Sequence, residues 1–351
     1  MSATTFKKDF PAELEKRKAL IWPIVQKYLP DKFPFEHYQM VREYPLRQGK
    51  YLRGSLVLLA AELYGGKTSE ALLTAAAMQV SEDWLLIHDD FEDHSEERRS
   101  TKTERKLTLS KMYNDELAVN AGDALHLIMW RMLGDNIVQL GLDRGLLIYR
   151  LFNDVLVITT EGQYLELNWI YKSIVDLKIT DYFEMVKRKT VGYTVLYPLQ
   201  LGALAAGVTQ AEKLAKIAQW AEPFGCAFQI EDDVMNLRSA TKIQGKEWAG
   251  DIWEGKRTLI LIHLLEHCLE KEKEFIKLVY SKARLEKTQT EVDEVVELMN
   301  KYQSIDYAQS FAEQQAKEAL DKFDIFAKDF NNQEAVEIIR AGIEFVADRV
   351  R

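Results

Sequence analysis

Proline, the residue that most strongly interrupts a helix, is scarce in this chain and does not occur after residue 223. The 351 residues include seven prolines, the last of which is Pro223. An interior proline removes one helical hydrogen bond and clashes with the preceding turn, so long proline-free stretches favour long helices. Glycine, another helix breaker, is also sparse, with 17 copies. The sequence therefore predicts long helices joined by short turns.

Apolar residues recur three and four positions apart, which is the spacing of one buried helical face. The clearest example runs from Ile217 to Ile230, with Trp220 and Phe224 on the same stripe. Strand-like alternation of apolar and polar residues is almost absent. We predict an all-α fold, a helical bundle that forms a single domain over residues 1–351. The segments apolar enough for interior helices are 52–64, 71–91, 116–133, 146–170, 179–206 and 212–237.

Acidic residues outnumber basic ones, with 55 Asp and Glu against 46 Lys and Arg and a formal net charge of −9. This balance argues against a nucleic-acid partner, which would require a basic surface. We expect no membrane span and no signal peptide, because no apolar run is long enough for either. Cys226 and Cys268 provide neither a disulfide framework nor a zinc motif, so a reducing, cytoplasmic environment is expected.

An acidic cluster ends one strongly apolar segment. Asp89 and Asp93 lie four residues apart, so on a helix their carboxylates share one face, and Asp90 lies between them. Carboxylates at the end of a buried helix are costly unless a cation neutralises them. Mg²⁺ prefers oxygen ligands and binds through one or two carboxylates together with substrate phosphates. The cluster predicts a magnesium site, although a solvated acidic helix end explains a single cluster equally well.

A second acidic cluster repeats this arrangement further along the chain. Asp232 and Asp233 follow another apolar helical segment, and Asn236 supplies a third oxygen three to four residues later. Two such clusters could hold a metal-bound diphosphate between them. The repetition makes coincidence a poor explanation.

Lysines and arginines are interspersed with the two acidic motifs. Lys50 and Arg53 lie three apart at the start of a predicted helix, where the helix dipole also favours an anion. Taken singly, each of these cations is more often surface charge than a binding residue. Their order relative to the acids favours phosphate binding. The remaining candidates are Arg98, Arg99, Lys189, Lys246 and Lys256.

With these motifs the chain resembles the trans-prenyl diphosphate synthases, the family of farnesyl and geranylgeranyl diphosphate synthases. The likeness spans about residues 45–265, the motif-bearing core, and leaves residues 266–351 as charged outer helices. Seven motifs occur in the family's order. They are Gly49–Arg53, Asp89–Asp93 with Arg98-Arg99, Ala121–Leu125, Gly162-Gln163, Lys189-Thr190, Phe228–Asp233, and the segment with Lys246 and Lys256.

The resemblance implies a homodimer of all-α subunits, each with a central cavity and about three Mg²⁺ ions. An allylic diphosphate (C5, C10 or C15) would ionise and condense with isopentenyl diphosphate. The implied metal ligands are Asp89, Asp90, Asp93 and Asp232. The implied contacts to the allylic diphosphate are Arg98, Lys189, Lys246 and Lys256. Those to isopentenyl diphosphate are Lys50, Arg53 and Arg99, and the catalytic residues beside the carbocation are Lys189, Thr190 and Gln229.

Three positions depart from the family's pattern. Glu82 stands seven residues before Asp89, where the family usually has a His or Gln that contacts isopentenyl diphosphate. A carboxylate there would repel the substrate unless it is protonated or salt-bridged to a neighbour such as Arg53. Asn236 replaces the last Asp of the second motif, and Glu166 replaces the Asp that usually follows the Gly-Gln pair. The loop after Arg99 also departs, since it has Ser100 in place of the family's Gly and Pro and is longer. These changes bear on efficiency and on the second substrate more than on the reaction class.

Product length is predicted from the residues one and two helical turns before the first motif. Trp84 and Leu85 would form the floor of the cavity, with Ser81 a turn below. Ordinary core packing is the competing explanation for Trp84. This pattern resembles archaeal-type geranylgeranyl diphosphate synthases, so a C20 product is expected. The bulk of Trp84 keeps farnesyl diphosphate (C15) as the alternative.

Two other functions remain open at this point. A terpene cyclase also ionises a prenyl diphosphate at an acidic helix motif, but it has no need of the second diphosphate site at Lys50, Arg53 and Arg99. A weakly active partner subunit of a heteromeric synthase would usually lose an acidic motif. This chain keeps both, although Glu82 leaves that alternative open.

Overall fold

Helices dominate the parts of the chain that the computed structural model describes, which are residues 8–100, 104–238 and 248–348. The first seven α-helices are α1 (Phe10–Tyr28), α2 (Phe35–Arg47), α3 (Leu52–Leu63), α4 (Thr68–Glu92), α5 (Leu109–Met112), α6 (Asp115–Leu140) and α7 (Leu142–Tyr171). The next four are α8 (Ile179–Val186), α9 (Tyr197–Ala205), α10 (Ala211–Arg238) and α11 (Gly250–Glu254). The last five are α12 (Leu259–His267), α13 (Glu270–Ser281), α14 (Gln289–Lys301), α15 (Ser304–Phe326) and α16 (Gln333–Asp348).

The predicted all-α fold is confirmed. All six segments predicted as interior helices are helical in the structure, although 52–64 and 179–206 each extend one residue past the end of a helix. The described ranges contain no β-strand, only an isolated antiparallel bridge between Glu97 and Leu107. None of the described helices combines the length and the apolarity needed to cross a membrane.

Helices α8 and α9 are one continuous rod whose middle is π-helical. The π-helical segment spans Lys187–Leu196, and Val186 and Tyr197 on either side of it keep helical backbone angles. A π-helical turn is wider than an α-helical one and occurs most often at functional sites. Lys189 and Thr190, both predicted catalytic residues, lie in this segment.

The centre of the bundle is formed by helices that are apolar on most of their surface. Helix α3 packs between α4 and α9, α4 also packs along α6, and α10 lies against the π-helical segment and α15. Gly202 makes the α3–α9 crossing possible, because a Cβ there would overlap the backbone carbonyl of Val57. This packing fixes the ends of α4 and α10, where the acidic motifs are found.

The charged C-terminal region contributes more to the interior than its composition indicates. Helix α15 buries a stripe of small and aromatic side chains at the α10 interface, including Ala308, Ala312 and Phe323. Helix α16 packs on α1, α3 and α10. The single domain over the whole chain and the division at residue 265 both stay predictions.

The segment after the first acidic motif is rich in charged and polar residues, which favours a solvent-exposed loop, but several of its side chains are buried. Residues 94–100 and 104–108 are non-helical, but Ser95, Ser100 and Thr108 are buried. Thr108 donates to the Ser95 carbonyl and Lys106 N–H donates to Ser100 Oγ. This folded-back segment brings Arg98 and Arg99 against the bundle.

Candidate active site

A cavity of about 610 Å³ lies between the helices that bear the two acidic motifs. Its walls come from α3, α4, α7, the π-helical segment and α10, and α1 and α16 close one side. Ser81, Asp90 and Asp93 are buried but do not line it, and Lys246 lies outside the described residues. The other predicted site residues line the cavity: Lys50, Arg53, Glu82, Trp84, Leu85, Asp89, Arg98, Arg99, Lys189, Thr190, Gln229, Asp232 and Lys256.

The first acidic motif occupies the last turn of α4. Asp89 faces the cavity, whereas Asp90 accepts hydrogen bonds from the Tyr44 hydroxyl and from Arg98 (Nε to Oδ1, 2.7 Å). Arg98 Nη2 lies 3.3 Å from Asp89 Oδ2. Burial works against the charge of Arg98, but Asp90 outweighs burial and raises the pKa of the guanidinium. Asp90 thus holds Arg98 beside Asp89, and its role as a metal ligand stays a prediction.

Asp93, the residue that caps the C-terminus of α4, is buried next to Lys256. Lys256 Nζ lies 3.0 Å from Asp93 Oδ2, 2.7 Å from Glu254 Oε2 and 3.8 Å from Asp251 Oδ1. Neither carboxylate oxygen of Asp93 accepts a hydrogen bond from the part of the chain that the structure describes. Burial raises the pKa of Asp93 well above its usual range, and Lys256 offsets only part of this effect. A further cation would therefore stabilise this carboxylate.

The second acidic motif lies near the end of α10, where Asp232 and Asp233 both line the cavity. Asp233 accepts hydrogen bonds from Gln229 Nε2 (2.7 Å) and from the Tyr182 hydroxyl (2.9 Å). Gln229 in turn accepts a hydrogen bond from Thr190 Oγ1 (2.7 Å). Burial raises the pKa of Asp233 well above its usual range. These bonds join α8, the π-helical segment and α10 in one network at the cavity wall.

Lys189, in the π-helical segment, pairs with carboxylates on α4 and α7. Its Nζ lies 3.5 Å from Asp89 Oδ1 and forms a short ion pair with Glu166 on α7. Burial works against the ammonium charge, but Glu166 and Asp89 outweigh burial and raise the pKa of Lys189. A Cβ at Gly162 would overlap the backbone of Lys189, so glycine permits α7 to approach here. Lys189 is therefore held as a cation at the cavity surface.

A second cationic cluster lies between α3 and the segment after α4. Arg53 Nη1 is 3.2 Å from Glu82 Oε2, and Arg99 Nη2 is 3.8 Å from Glu82 Oε1 and 2.9 Å from Asp83 Oδ1. Glu82 is thus salt-bridged to Arg53. Such a salt bridge is one of the two conditions under which a carboxylate at this position would not repel the substrate. Burial raises the pKa of Asp83 to about 6, although Arg99 acts in the opposite direction. Lys50 lines the same region of the cavity.

The site fits magnesium bound jointly by protein and substrate. Among the described residues, no three His, Cys, Asp or Glu side chains converge to hold a metal ion by themselves. Mg²⁺ typically uses one or two carboxylates and completes its coordination with phosphate oxygens and water. Burial raises the pKa of four acids in the two acidic motifs, and a divalent cation would favour their charged forms. These four are Asp90, Glu92, Asp93 and Asp233.

The predicted floor of the cavity contains an aromatic side chain, and a second layer of aromatic side chains lies behind it. Trp84 and Leu85 line the cavity, and the Trp84 ring stacks on His126 of α6 with 4.1 Å between centroids. His126 Nε2 accepts a hydrogen bond from Trp130 Nε1 (2.7 Å). Ser81 does not reach the cavity, because its hydroxyl is bonded to the Tyr193 hydroxyl (2.9 Å). Trp84 is both a core residue and part of the cavity wall.

Several residues of the site were not among the predicted ones. Tyr44 and Asp83 had no motif to identify them, although an acid inside an apolar helix was a usable signal for Asp83. Asp251 lines the cavity, and its backbone N–H donates to Asn236 Oδ1 (3.2 Å). Glu166 had been noted only as a departure, yet it is an ion-pair partner of Lys189.

Known proteins share both the sequence pattern and the fold. The family profile described as "Polyprenyl synthetase" matches residues 36–299. A geranylgeranyl diphosphate synthase of Sulfolobus acidocaldarius is 31% identical over 274 residues, which are 78% of this chain and 79% of that protein.

Solved structures extend the likeness over nearly the whole chain. Geranylgeranyl pyrophosphate synthetase of Pyrococcus horikoshii superposes with a TM-score of 0.83 and 27% identity, covering 97% of this chain and 98% of that one. A geranylgeranyl pyrophosphate synthase of Corynebacterium glutamicum, solved with isoprenyl diphosphate and magnesium, shares the fold at a TM-score of 0.83 and 20% identity. It covers 98% of this chain and 99% of that one. The chain belongs to the polyprenyl synthetase family.

Proposed function

We propose that this protein is a magnesium-dependent trans-prenyltransferase that condenses isopentenyl diphosphate with allylic diphosphates. The observation that carries this proposal is one cavity bounded by Asp89 and Asp232 from the acidic motifs and by Lys50 and Arg53 from the second cationic cluster. One diphosphate held with metal ions suits ionisation of an allylic substrate. A separate cationic cluster suits the diphosphate of a second substrate, which a cyclase would not need.

Asp89, Asp93 and Asp232 are the residues that would hold the metal, with about three ions per site as the proposed number. Magnesium bound there would neutralise the charge that develops on the departing diphosphate. The Corynebacterium structure, which contains isoprenyl diphosphate and magnesium, supports this requirement for a divalent cation. Asp90 would act indirectly by keeping Arg98 beside Asp89.

Three cationic side chains of this chain face the region of the first diphosphate: Arg98, Lys189 and Lys256. As the allylic C–O bond breaks, its electron pair goes to the diphosphate oxygen, and negative charge grows there. Fixed cations in a site with little water stabilise that charge more than water would. Lys189 and Lys256 keep their protons because neighbouring carboxylates outweigh burial and raise their pKa values.

The carbocation left behind would lie against the network of Thr190 and Gln229. Their hydroxyl and carbonyl oxygens offer partial negative charge without a nucleophile strong enough to trap the cation. The double bond of isopentenyl diphosphate then forms the new C–C bond, and a proton passes to the released diphosphate. Leu85, Leu86 and Phe228 line the cavity and would exclude water, which would otherwise quench the cation.

Geranylgeranyl diphosphate is the proposed product. The Sulfolobus and Pyrococcus proteins are both named as geranylgeranyl synthases, and the aromatic floor lies one turn below Asp89. Farnesyl diphosphate is the second candidate, because Trp84 is bulky and is backed by His126.

The Trp84→Ala variant tests the floor directly. Its products are expected to be longer by at least one isoprene unit than those of the wild type, because truncating Trp84 opens the wall toward His126. Chain lengths are compared by reverse-phase chromatography of the dephosphorylated products, with Leu86→Ala as a matched control elsewhere on the wall. An unchanged product pattern in Trp84→Ala would show that Trp84 does not limit chain length.

The function itself is tested with the purified full chain, Mg²⁺, radiolabelled isopentenyl diphosphate and each of the C5, C10 and C15 allylic primers. Label is expected in a longer prenyl diphosphate, and EDTA should abolish its incorporation. Failure with every primer would contradict the enzyme proposal and favour a partner subunit. Consumption of the primer without label incorporation would favour a cyclase.

A homodimer is the proposed assembly. Leu127 on α6 and Val157 and Tyr164 on α7 are exposed apolar side chains that a second copy could bury. Light scattering on the purified protein should give twice the monomer mass, and Leu127→Glu should weaken association. A monomer at micromolar concentration would contradict this assembly.

A further inference from the structure

Two consecutive acids of α4, Glu82 and Asp83, contact the arginines assigned to the second diphosphate. Glu82 bridges Arg53 and Arg99, with N–O distances of 3.2 Å and 3.8 Å. Asp83 forms an ion pair with Arg99, at 2.9 Å. Neighbouring residues on a helix point about 100° apart. The two carboxylates therefore approach the cationic cluster from different directions.

The two acids differ in their access to the cavity. Glu82 lines the cavity together with Lys50, Arg53 and Arg99, in the space where an anion would contact these cations. Asp83 does not line it, and its side chain is only 1% exposed. An incoming diphosphate would therefore meet Glu82 directly, whereas Asp83 would stay behind Arg99.

Neither arginine depends on Glu82 to keep its position. Arg53 donates a hydrogen bond to Thr194 Oγ1 (2.9 Å) and stacks over the Tyr193 ring at 4.7 Å. Arg99 donates to the backbone carbonyl of Tyr44 (2.8 Å) in addition to its ion pair with Asp83. Loss of the Glu82 charge would leave both guanidinium groups in place, whereas loss of the Asp83 charge would remove the nearest anionic partner of Arg99.

We propose that these neighbouring acids set the affinity for the second substrate in opposite directions. Glu82 competes with the diphosphate of isopentenyl diphosphate for Arg53 and Arg99, and so weakens its binding. Asp83 is a positioning residue that keeps Arg99 directed at that diphosphate, and so strengthens binding. This inference rests on the proposed function, because it assigns isopentenyl diphosphate to this cluster.

The test is a pair of isosteric, charge-removing variants, Glu82→Gln and Asp83→Asn, in the full chain. Removing one charge within about 5 Å of the bound anion should change its affinity by about tenfold or more. The KM for isopentenyl diphosphate is therefore expected to fall about tenfold in Glu82→Gln, which removes repulsion of the anion. It is expected to rise about tenfold in Asp83→Asn, because Arg99 loses the ion pair that directs it at the diphosphate. The KM for the allylic diphosphate should change less than about twofold in both, because its cations lie at the first acidic motif.

Opposite shifts confined to one substrate would not follow from a loss of folding, which would affect both substrates alike. Shifts in the same direction, unchanged KM values or equal changes for the allylic substrate would each overturn the proposal. If Asp83→Asn does not fold, the Glu82→Gln variant tests the proposal by itself. A KM for isopentenyl diphosphate that does not fall in this variant would contradict competition between Glu82 and the diphosphate. Glu82→Asp, which keeps the charge, should stay closer to the wild type than Glu82→Gln.

Calorimetric titration with isopentenyl diphosphate alone separates this inference from the proposed function. If the wild type makes no product, the reaction assignment fails. Opposite changes in the dissociation constant of the two variants would still support the roles of Glu82 and Asp83. If product forms and the two dissociation constants do not diverge, only the inference about these acids fails.

Discussion

The two acidic motifs line one cavity but are stabilised by different partners. At the end of α4, Asp90 and Asp93 are paired with the cations Arg98 and Lys256. On α10, Asp233 receives its hydrogen bonds from Gln229 and Tyr182, which are neutral. A charged partner compensates a buried carboxylate more strongly than a neutral donor does.

The two motifs therefore differ in how their buried carboxylates are stabilised before substrate binds. The first motif has counter-cations from the protein at Asp90 and Asp93, although burial still raises the pKa of both carboxyls. The second has neutral donors at Asp233, whose pKa burial raises. We infer that Asp233 depends on a cation that arrives with the substrate more than Asp90 and Asp93 do.

The largest expected effect comes from removing one ligand of each motif. Asp89→Asn should lower kcat about 10³-fold, because it removes a proposed metal ligand that also lies beside Lys189 and Arg98. Asp232→Asn should lower kcat about 10²-fold. Steady-state turnover at saturating Mg²⁺ and substrates measures both. A larger loss for Asp232→Asn would reverse the comparison.

A smaller effect should distinguish the partners of the two motifs. Lys256→Met would leave Asp93 and Glu254 without their nearest cation and should lower the free energy of unfolding by about 3 kcal/mol. Tyr182→Phe removes one neutral hydrogen bond to Asp233 and should cost about 1 kcal/mol.

Urea denaturation of the metal-free proteins measures these two losses. Tyr28→Phe, which removes an exposed hydrogen bond to Asp135, is a matched control that should change stability little. Equal losses of unfolding free energy in Lys256→Met and Tyr182→Phe would mean that a charged partner stabilises the first motif no more than a neutral donor stabilises the second.

The smallest expected effect is that of Mg²⁺ without substrate. Saturating Mg²⁺ should raise Tm by about 2 °C, since an ion bound only by the folded state stabilises it by mass action. The shift should shrink more in Asp93→Asn than in Asp233→Asn, because Asp233 is inferred to receive its cation together with the substrate. Differential scanning calorimetry with an EDTA control measures this. A shift that survives in Asp93→Asn would contradict the inference.

The sequence predicted the helical fold well because its signals were local. Scarce proline and apolar residues at helical spacing identified α3, α4, α6, α7 and α10. The positions of the prolines alone would have predicted wrong helix ends, since Pro23, Pro45 and Pro223 lie inside helices. The π-helical segment was not predicted, because its residues are compatible with an ordinary α-helix and the difference depends on tertiary packing.

The sequence identified most residues of the site, but it did not show which of them pair with each other. Spacing along a helix indicated that Asp89 and Asp93 share a face, and the resemblance supplied the phosphate-binding cations. Nothing local indicates that Asp90 would be held by Tyr44, which is 46 residues away in the chain. Nor does it indicate that Glu82 would bridge Arg53 and Arg99. Contacts of this kind depend on how separate helices come together.

The π-helical segment also limits how this chain can vary in length. Lys189 lies near its start beside Asp89, and Thr194 lies near its end beside Arg53, so one stretch of backbone sets the separation of the two proposed diphosphate sites. Deleting one residue between them would turn the later side chains to a different direction relative to Lys189. Between these two positions, substitutions should be tolerated far more readily than insertions or deletions.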